Sequence, residues 1–436
     1  MLLNDIVAVV GLDHCLTDPD LRASYEVDWT GRYRGITPAV IRPGSTEELA
    51  AVLALCHNAR RPVVVQGGNT GMVGGGVPLA GELVVSVSRI GNVQVVSNTR
   101  LRAGAGTTLS RVQEAASSVN ASFGVDTAAR DSATVGGMIA TNAGGMNVVR
   151  FGPMADQVLD AGVVLADGSY LPSLRQLRPG HPAAGLIDHL AGSEGILAVV
   201  AHADLVIATD PPRAAVALIE VPAGRLQALV QAVEELPSVY AIELFGAPEV
   251  ELAAAGIGRS APLSGDWLAL VECRSDDDPA ESLAAVVGDL PAVVATNQSV
   301  GNELWLFREA LTEGVSRLGL PHKFDVRVPH EALNDVRRRV EAVAPSCRVF
   351  VWGHAFSNRY GQPTANLHVN VIGAVDDEAV FDVIEDLGGS VAAEHGIGTA
   401  KRHRASTARP DLTELRELKD RLDPFGILNP KVLLPL

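Results

Sequence analysis

The chain has 436 residues and a formal net charge of −16, and it shows none of the clustered Lys and Arg that binding to a nucleic-acid backbone requires. Its four cysteines lie far apart with no CxxC pair, which argues against thiolate-bound structural zinc and against a disulfide framework. No apolar run reaches the roughly 20 residues of a membrane span, and the first residues have no positive region typical of a signal peptide. We therefore expect two or three domains in a cytoplasmic protein without a transmembrane segment.

The first half of the chain predicts alternating helices and short strands. Ser45-Thr46-Glu47-Glu48 has the pattern of a capping box and predicts the start of a helix. A strand at Pro62–Val65 and a second one at Leu83–Val87 follow. Up to about residue 207 this alternation, with several glycine-rich turns, predicts a mixed α+β layer architecture.

The second half begins at a strong turn signal, Asp210-Pro211-Pro212, which predicts a domain boundary. Beyond it the pattern is strand, helix over residues 224–236, strand, and further helices and strands to about residue 372, which fits a second α+β domain. Residues 412–422 predict a charged amphipathic helix close to the C-terminus.

Glycine-rich loops supply the first functional signal. Gly67 to Gly76 follows a strand, and glycines let several backbone N–H groups approach an anion such as a pyrophosphate. A plain glycine-rich turn is the alternative. The loop from Gly67 to Gly76 does not have the G-x-G-x-x-G pattern of a Rossmann site. Gly104-Ala105-Gly106 begins like that pattern, but Leu109 stands where its third glycine would be.

A second region is more specific. Residues 126–145 contain Ser132-Ala133-Thr134-Val135-Gly136-Gly137, and Gly192-Ser193-Glu194-Gly195 follows about 50 residues later. Small residues and hydroxyl groups dominate both segments, which suits an extended cofactor that lies against the backbone.

With these motifs in this order, the chain resembles the FAD-binding type-4 group of the vanillyl-alcohol oxidase fold from Tyr25 to the C-terminus. That group includes D-2-hydroxyglutarate and D-lactate dehydrogenases and glycolate oxidase flavin subunits. The resemblance implies an α+β protein with a two-subdomain PCMH-type FAD-binding domain over residues 1–210. It further implies a ferredoxin-like α+β substrate (cap) domain over 211–400, and a C-terminal segment, 401–436, whose helix returns to the FAD domain near the flavin.

The resemblance also implies which residues hold FAD. Asn69 occupies a position where some relatives carry a flavin-linked His, so the FAD is expected to be non-covalent. The tract at Arg178-Pro179-Gly180 departs from the family's Lys-x-Asn-x-Gly. The expected FAD-binding residues are Gly67, Gly68, Asn69, Thr70, Gly71, Met72, Asp126, Ser132, Ala133, Thr134, Gly136, Gly137, Asn142, Glu194, Gly195, Val199 and Asn429.

Three residues are candidates for binding a substrate carboxylate. Arg308 and Thr312 are four apart on a predicted helix and so share a face, while Lys323 begins an alternating strand pattern. Taken alone, such Arg and Lys residues are more often solvated surface groups. In the resembling D-2-hydroxyglutarate dehydrogenases, an Arg, a Thr and a Lys at this spacing grip the distal carboxylate of the substrate.

His354, His368 and Glu394 are candidate ligands of Zn²⁺ or another divalent metal, because two histidines and a carboxylate with open positions suit such an ion. In the resembling dehydrogenases the histidines lie in Gly-His-x-Gly-Asp-Gly-Asn-Leu-His. Here the segment from Ala355 to Ala365 is longer and lacks the Gly-Asp-Gly core, and we expect a longer hairpin loop that leaves both ligands in place. Histidines that bind no metal are the alternative.

The implied reaction oxidises a D-2-hydroxy acid to a 2-oxo acid. His395 is the expected base for the hydroxyl proton, aided by Asn370, and hydride passes to the flavin. D-2-hydroxyglutarate is the first substrate candidate, with D-malate and D-lactate as rivals, and a protein or quinone accepts the electrons. The alternatives are a D-lactate- or glycolate-type dehydrogenase, an O₂-using or carbohydrate oxidase, a flavin subunit of an electron-transfer complex, and a non-catalytic FAD protein. A homodimer is compatible with the sequence.

Overall fold

The structure is a computed structural model that describes residues 1–178, 180–357 and 363–435. The chain divides into two compact units. Unit 1 comprises Met1–Gly145, Pro153–Thr209 and His395–Leu436, and unit 2 comprises Met146–Gly152 and Asp210–Glu394. The chain thus changes unit at residues 146, 153, 210 and 395.

The strands are short in unit 1 and longer in unit 2. They are β1 (Cys15–Leu16), β2 (Val40–Ile41), β3 (Val63–Gln66), β4 (Leu83–Ser86), β5 (Val93–Ser97), β6 (Arg100–Gly104), β7 (Val158–Val164), β8 (Tyr170–Leu171), β9 (Val199–Val206), β10 (Arg213–Val221), β11 (Val239–Phe245), β12 (Trp267–Ser275), β13 (Ala292–Ala295), β14 (His322–Pro329), β15 (Arg348–Ser357) and β16 (Pro363–Ile372).

Helices alternate with these strands, as the sequence predicts. They are α1 (Leu2–Val10), α2 (Pro19–Arg22), α3 (Thr46–Asn58), α4 (Leu109–Ser117), α5 (Val135–Thr141), α6 (Val148–Phe151), α7 (Met154–Gln157), α8 (Leu186–Leu190), α9 (Leu226–Glu234), α10 (Ala247–Ile257), α11 (Pro279–Val287), α12 (Gln298–Leu318), α13 (Leu333–Val343), α14 (Asp377–Asp386), α15 (Ala405–Ala408) and α16 (Leu412–Leu422). Within the described residues, no helix combines the length and the apolar content that crossing a bilayer requires.

Unit 1 contains two sheets. One has the order β1-β2-β4-β3, with β2, β4 and β3 parallel, and the other has the order β5-β6-β9-β7-β8 and is antiparallel. The helix predicted from the capping box is α3: Ser45 Oγ accepts from the Glu48 N–H at 3.2 Å, and Glu48 Oε2 accepts from the Gly44 N–H at 2.7 Å. Two N–H groups at the helix start are thereby satisfied by side chains.

The C-terminal segment belongs to unit 1 and lies along β3. The Val63 N–H donates to the Ile427 carbonyl at 2.8 Å, and the Asn429 N–H donates to the Val63 carbonyl at 2.9 Å. The buried ammonium of Lys419 on α16 donates to Asp423, to the Ile196 carbonyl at 2.9 Å and to the Leu428 carbonyl at 2.7 Å. The predicted return of the C-terminal helix to the first domain is therefore confirmed.

Unit 2 is built on a sheet with the order β13-β10-β12-β11-β15-β16-β14. Its first half, β10-α9-β11-β12-α11-β13, pairs antiparallel in the order β13-β10-β12-β11, which is the ferredoxin-like arrangement expected from the sequence. Helices α10 and α12 pack on one face over a core that includes Leu218, Phe245, Leu270, Phe307 and Trp352. This core fixes α12 against the strands that carry the candidate site.

The segment between the two candidate histidines differs from the sequence expectation. We expected a loop from Ala355 to Ala365, but β15 and β16 pair through most of it, from Ala355 opposite Ala365 to Ser357 opposite Pro363. Ladder hydrogen bonds use only main-chain groups, so loss of the Gly-Asp-Gly core does not end the pairing. The rest of the expected loop, residues 358–362, lies outside the described residues.

Candidate active site

The three predicted metal ligands come together in unit 2. His354 lies on β15 and His368 on the neighbouring antiparallel strand β16, opposite Trp352. Because residues two apart on a strand share a face, the two side chains project from the same side of the sheet. With Glu394, each offers a ligand atom, and these atoms lie within 4.8 Å of one another.

His354 is enclosed by two carboxylates. It is 2% exposed, its Nε2 lies 2.8 Å from Glu394 Oε1, and its Nδ1 lies 3.2 Å from Glu243 Oε1. Burial opposes the charged imidazole, but the charges of Glu394 and Glu243 outweigh it and raise the pKa of His354 to about 10. Two carboxylates thus contact one imidazole and favour a positive charge at His354.

Glu243 is a site residue that the sequence analysis missed. It lies on β11 directly opposite His354, is fully buried, and forms an ion pair with Arg308 of α12. Burial alone would raise the pKa of Glu243, but Arg308 and His354 lower it to about 2. A lone acid within the apolar run Val239–Phe245 is the sequence signal that points to it.

Asp325 is the second residue without a predicted role. Its Oδ2 accepts from the N–H groups of Ala393 at 3.3 Å and Glu394 at 2.6 Å, and its Oδ1 lies 3.5 Å from His368 Nδ1. The side chain is 2% exposed. From β14, Asp325 thus contacts two of the three candidate ligands, Glu394 and His368, as outer carboxylates do in metal sites.

The donor set fits a divalent metal. Two imidazoles and one carboxylate within a few ångströms match the three protein ligands of a catalytic zinc site, which keeps a further position for substrate or water. A divalent ion would also replace the proton that the two carboxylates hold on His354.

The predicted substrate residues occupy three different settings. Arg308 is buried on α12 and its Nε donates to Glu243, while Thr312 is exposed one turn later. Lys323 is half-buried on β14 opposite Asn370, and burial lowers its pKa. Asn370 is 3% exposed, and its Nδ2 donates to the His368 carbonyl at 3.1 Å.

The predicted base, His395, follows Glu394 in the chain and is the first residue of the last segment of unit 1. Its side chain is half-buried.

The expected FAD residues lie on neighbouring loops of unit 1. The loop that follows β3 packs against residues 132–134, since a Cβ added to Gly68 would lie 1.7 Å from the Ser132 carbonyl oxygen and one added to Gly67 would lie 2.3 Å from Thr134 Oγ1. Among the residues that the structure describes, Thr134 Oγ1 is buried with no hydrogen-bond partner, and a Cβ on Gly71 would meet nothing within 4 Å. An unsatisfied hydroxyl beside an open glycine loop fits a cofactor that accepts or donates a hydrogen bond there.

One asparagine and one acid hold these loops in place. Asn429 Oδ1 accepts from the Val65 N–H at 2.8 Å and its Nδ2 donates to the Glu194 carbonyl at 2.7 Å. The Glu194 carboxylate accepts from the N–H groups of Ile397 and Gly398 at 2.7 Å each. These bonds tie the segment at Glu194 to β3 and to the C-terminal segment.

Three more of the predicted FAD residues have hydrogen-bond partners of their own, and a fourth begins a strand. Asn69, at φ +52°, donates from Nδ2 to the carbonyls of Ser24 at 3.1 Å and Val27 at 2.8 Å. Asn142 ends α5 in the left-handed region, and its Oδ1 accepts from the Ala155 N–H at 2.9 Å. Asp126 pairs with Arg130 at 2.6 Å, and Val199 begins β9.

Comparison with protein families decides the identity. The family described as "FAD linked oxidases, C-terminal domain" matches residues 210–433, and the FAD binding domain of type 4 matches residues 37–172. The chain belongs to the FAD-linked oxidases. Family membership makes it an FAD-dependent oxidoreductase, as predicted, and the family fits oxidation of hydroxy acids.

Two curated relatives match over nearly the whole chain. The mitochondrial D-2-hydroxyglutarate dehydrogenase of Bos taurus is 32% identical over 447 residues, covering 96% of this chain and 81% of the relative. A putative mitochondrial D-lactate dehydrogenase of Schizosaccharomyces pombe is 28% identical over 459 residues, covering 96% of this chain and 86% of the relative.

A solved structure shares the fold of this chain. The structure of p-cresol methylhydroxylase with substrate bound superposes with a TM-score of 0.77 at 13% identity, covering 99% of this chain and 95% of the other. The predicted PCMH-type FAD-binding architecture is thus confirmed.

Proposed function

We propose that this protein oxidises a D-2-hydroxy acid to the 2-oxo acid, with D-2-hydroxyglutarate as the first candidate substrate. The observation that carries the proposal is the convergence of His354, His368 and Glu394 beside two buried carboxylates. The names of the relatives support the same chemistry, and the S. pombe relative keeps a D-lactate-type substrate as the second candidate.

In this proposal the residues of the chain bind and orient the acid and move its proton. A divalent metal, held by His354, His368 and Glu394, would supply Lewis-acid polarisation of the hydroxyl group. His395 accepts the hydroxyl proton, and Asn370 orients the same oxygen. Arg308, Thr312 and Lys323 hold the second carboxylate of a dicarboxylic substrate, with a guanidinium fork suited to that group. Fixing both ends of the substrate orients C2 for reaction.

FAD, when bound, accepts the hydride from C2. The proposed cradle is the loop Gly67–Met72 with Ser132–Gly137, Asp126, Asn142, Glu194, Gly195, Val199 and Asn429. We propose a non-covalent complex, because Asn69 uses its amide to hold two main-chain carbonyls. A protein or quinone is proposed as the electron acceptor, and a homodimer as the assembly. The cytoplasm is the proposed location, although both relatives described above are named mitochondrial.

Anaerobic titration of the purified holoprotein tests this function. A panel of D- and L-2-hydroxy acids is added, with and without a chelator, and flavin absorbance is followed. We expect D-dicarboxylates to bleach the flavin rapidly, the L-isomers to leave it oxidised, and chelation to stop the reaction. Bleaching that survives chelation would remove the metal from the proposal. Flavin that no acid bleaches would overturn the function and favour an electron-transfer subunit.

A further inference from the structure

Arg327 is a charged residue beside the candidate site that has no assigned role. It lies on β14, two residues from Asp325 and four from Lys323, so the three side chains share one face of the sheet. In the register of the sheet, Arg327 is opposite Asn366 and Asn366 is opposite His354. These three residues form one row across β14, β16 and β15.

The guanidinium of Arg327 is half-buried and uncompensated. Within residues 1–178, 180–357 and 363–435 it makes no hydrogen bond or ion pair, and burial is the one influence that lowers its pKa. Residues 358–362, Asn-Arg-Tyr-Gly-Gln, include no carboxylate. A partly buried cation without a partner is costly, and such groups in folded proteins are usually paired. A carboxylate of a bound ligand would supply the charge partner that the described residues do not give to Arg327.

Asn366 gives a second, independent sign of a ligand. Its side chain is fully buried, its Nδ2 lies 3.4 Å from His354 Nε2, and its Oδ1 is buried with no hydrogen-bond partner in the part of the chain that the structure describes. Buried amides nearly always satisfy both ends. Rotation of the amide by 180° exchanges its oxygen and nitrogen, so that the unsatisfied end can also be an N–H donor.

We propose that Arg327 and Asn366 form a carboxylate-binding pair that holds the C1 carboxylate of the 2-hydroxy acid. The proposal rests on the function proposed above. Guanidinium and amide N–H groups are both donors, and the guanidinium presents two of them in the geometry of a carboxylate.

Arg327 and Lys323 lie at different levels along β14. Arg327 shares its row with His354, a candidate metal ligand, whereas Lys323 lies four residues earlier, about 13 Å along the strand. His368 is opposite Asp325, in the row between that of Arg327 and that of Lys323. Arg327 is therefore placed for the end of the acid that carries the reacting hydroxyl, and Lys323 for the distal end. Every 2-hydroxy acid has a C1 carboxylate, so Arg327 acts on monocarboxylates and dicarboxylates alike.

The test compares Arg327→Met with Lys323→Met on D-lactate and D-2-hydroxyglutarate. We expect Arg327→Met to raise KM for both acids by about 10- to 100-fold, the range for losing a charge-assisted hydrogen bond, with a smaller change in kcat. Lys323→Met is expected to raise KM for D-2-hydroxyglutarate alone. The matched control is Arg348→Met, which removes an exposed arginine from the same sheet. Arg327→Lys is expected to recover part of the loss, because it restores the charge but not the fork.

Equilibrium binding gives a readout that does not depend on turnover. Calorimetric titration of the holoprotein with pyruvate and with 2-oxoglutarate should show both affinities reduced by Arg327→Met. A loss confined to 2-oxoglutarate would place Arg327 at the distal end and overturn the proposal, as would unchanged affinities. If Arg327→Met does not fold with FAD bound, Arg327→Gln takes its place under the same criteria. If the wild-type protein neither binds a 2-oxo acid nor is reduced by any 2-hydroxy acid, the proposed function itself fails.

Discussion

Asp325 holds Glu394 by its main chain: the Glu394 N–H donates to Asp325 Oδ2 at 2.6 Å, and the Glu394 side chain is left to meet His354 Nε2 at 2.8 Å. One buried carboxylate therefore sets where another carboxylate points. Since the same Asp325 lies 3.5 Å from His368 Nδ1, its removal affects two of the three candidate ligands.

Replacing Asp325 should weaken metal binding without removing a ligand. We expect Asp325→Ala to lower the affinity for Zn²⁺ by about 10- to 100-fold, as loss of an outer carboxylate does in metal sites. Competitive titration of the protein with a zinc indicator measures the change. Asp377→Ala is the control, because Asp377 pairs with His322, the first residue of β14, which is not a candidate metal ligand. Equal affinities in the two variants would contradict a role for Asp325 at a metal site.

The ion pair between Glu243 and Arg308 should couple the stability of β11 and α12. Glu243→Gln leaves Arg308 buried without its charge partner, and we expect the free energy of unfolding to fall by about 3 kcal/mol. The double variant Glu243→Gln/Arg308→Met should recover part of that loss, since both charges are then absent. Urea unfolding of the four proteins in the cycle gives the coupling energy.

The exposed pair of Glu303 and Arg259 provides the control for this cycle. Glu303→Gln is expected to change the free energy of unfolding by less than about 1 kcal/mol, as for other solvent-exposed pairs. A Glu243→Gln variant as stable as Glu303→Gln would show that the buried pair contributes nothing net.

Substitution of two glycines in the loop after β3 should distinguish an effect on FAD binding from an effect on the stability of the fold. A Cβ at Gly68 would clash with the Ser132 carbonyl, so Gly68→Ala is expected to destabilise the apoprotein and to release FAD. A Cβ at Gly71 would meet no protein atom within 4 Å, so Gly71→Ala should leave apoprotein stability unchanged and weaken FAD binding by about tenfold or more if the cofactor approaches this backbone. Fluorescence titration of apoprotein with FAD measures both affinities.

The control for the glycine pair is Gly256→Ala. A Cβ at Gly256, on helix α10 of unit 2, also meets nothing within 4 Å. Alanine is the better helix former, so this variant should be slightly more stable and bind FAD normally. FAD affinity that is equal in Gly71→Ala and Gly256→Ala would argue against a cofactor at the loop.

Asp204 on β9 should contribute to stability in a pH-dependent way. Burial opposes its ionisation, but Arg102 and Arg100 outweigh that effect and lower the pKa of Asp204. Its stabilisation is therefore fully present above the unfolded pKa near 3.9, and it is lost as the pH falls through the lower folded value. Because both arginines are partly exposed, we expect Asp204→Asn to cost about 1 kcal/mol at pH 7.

The measurement for Asp204 is urea unfolding between pH 2.5 and 7, a window set by the unfolded pKa of about 3.9. The difference between wild type and Asp204→Asn should shrink toward the acid end of the series. Asp13→Asn, which alters an exposed carboxylate of unit 1, should show no such trend. A difference that is constant with pH would mean that the ion pair is not the source of the stabilisation.

Much of the fold was predictable from local pattern. The capping box at Ser45 gave the start of α3, the amphipathic run at 412–422 gave α16, and the alternation at Lys323 gave β14, because each signal depends on residues that are neighbours in the chain. The segment from Ala355 to Ala365 was assigned wrongly, since strand pairing there depends on main-chain bonds to a partner that the residue types do not reveal.

The candidate site was predictable only in part. The sequence predicted His354, His368 and Glu394 as ligands. Because side chains alternate along a strand, it also predicted that His368 and Asn370 lie on the same face. The sequence does not predict which strands are neighbours in the sheet. Which strand lies beside β15 decides that Glu243 faces His354, and the packing of α12 on that sheet decides that Arg308 meets Glu243.

The sequence by itself determined the FAD-binding motifs, the candidate ligands and the secondary structure that presents them. The tertiary structure decided which charges meet: Glu243 pairs with Arg308, and Asp325 accepts from the N–H of Glu394, whereas the Arg327 guanidinium has no ion-pair partner within residues 1–178, 180–357 and 363–435. The physical reason is that face and period are local properties, whereas the pairing of buried charges depends on strand order and on helix packing between residues far apart in the chain.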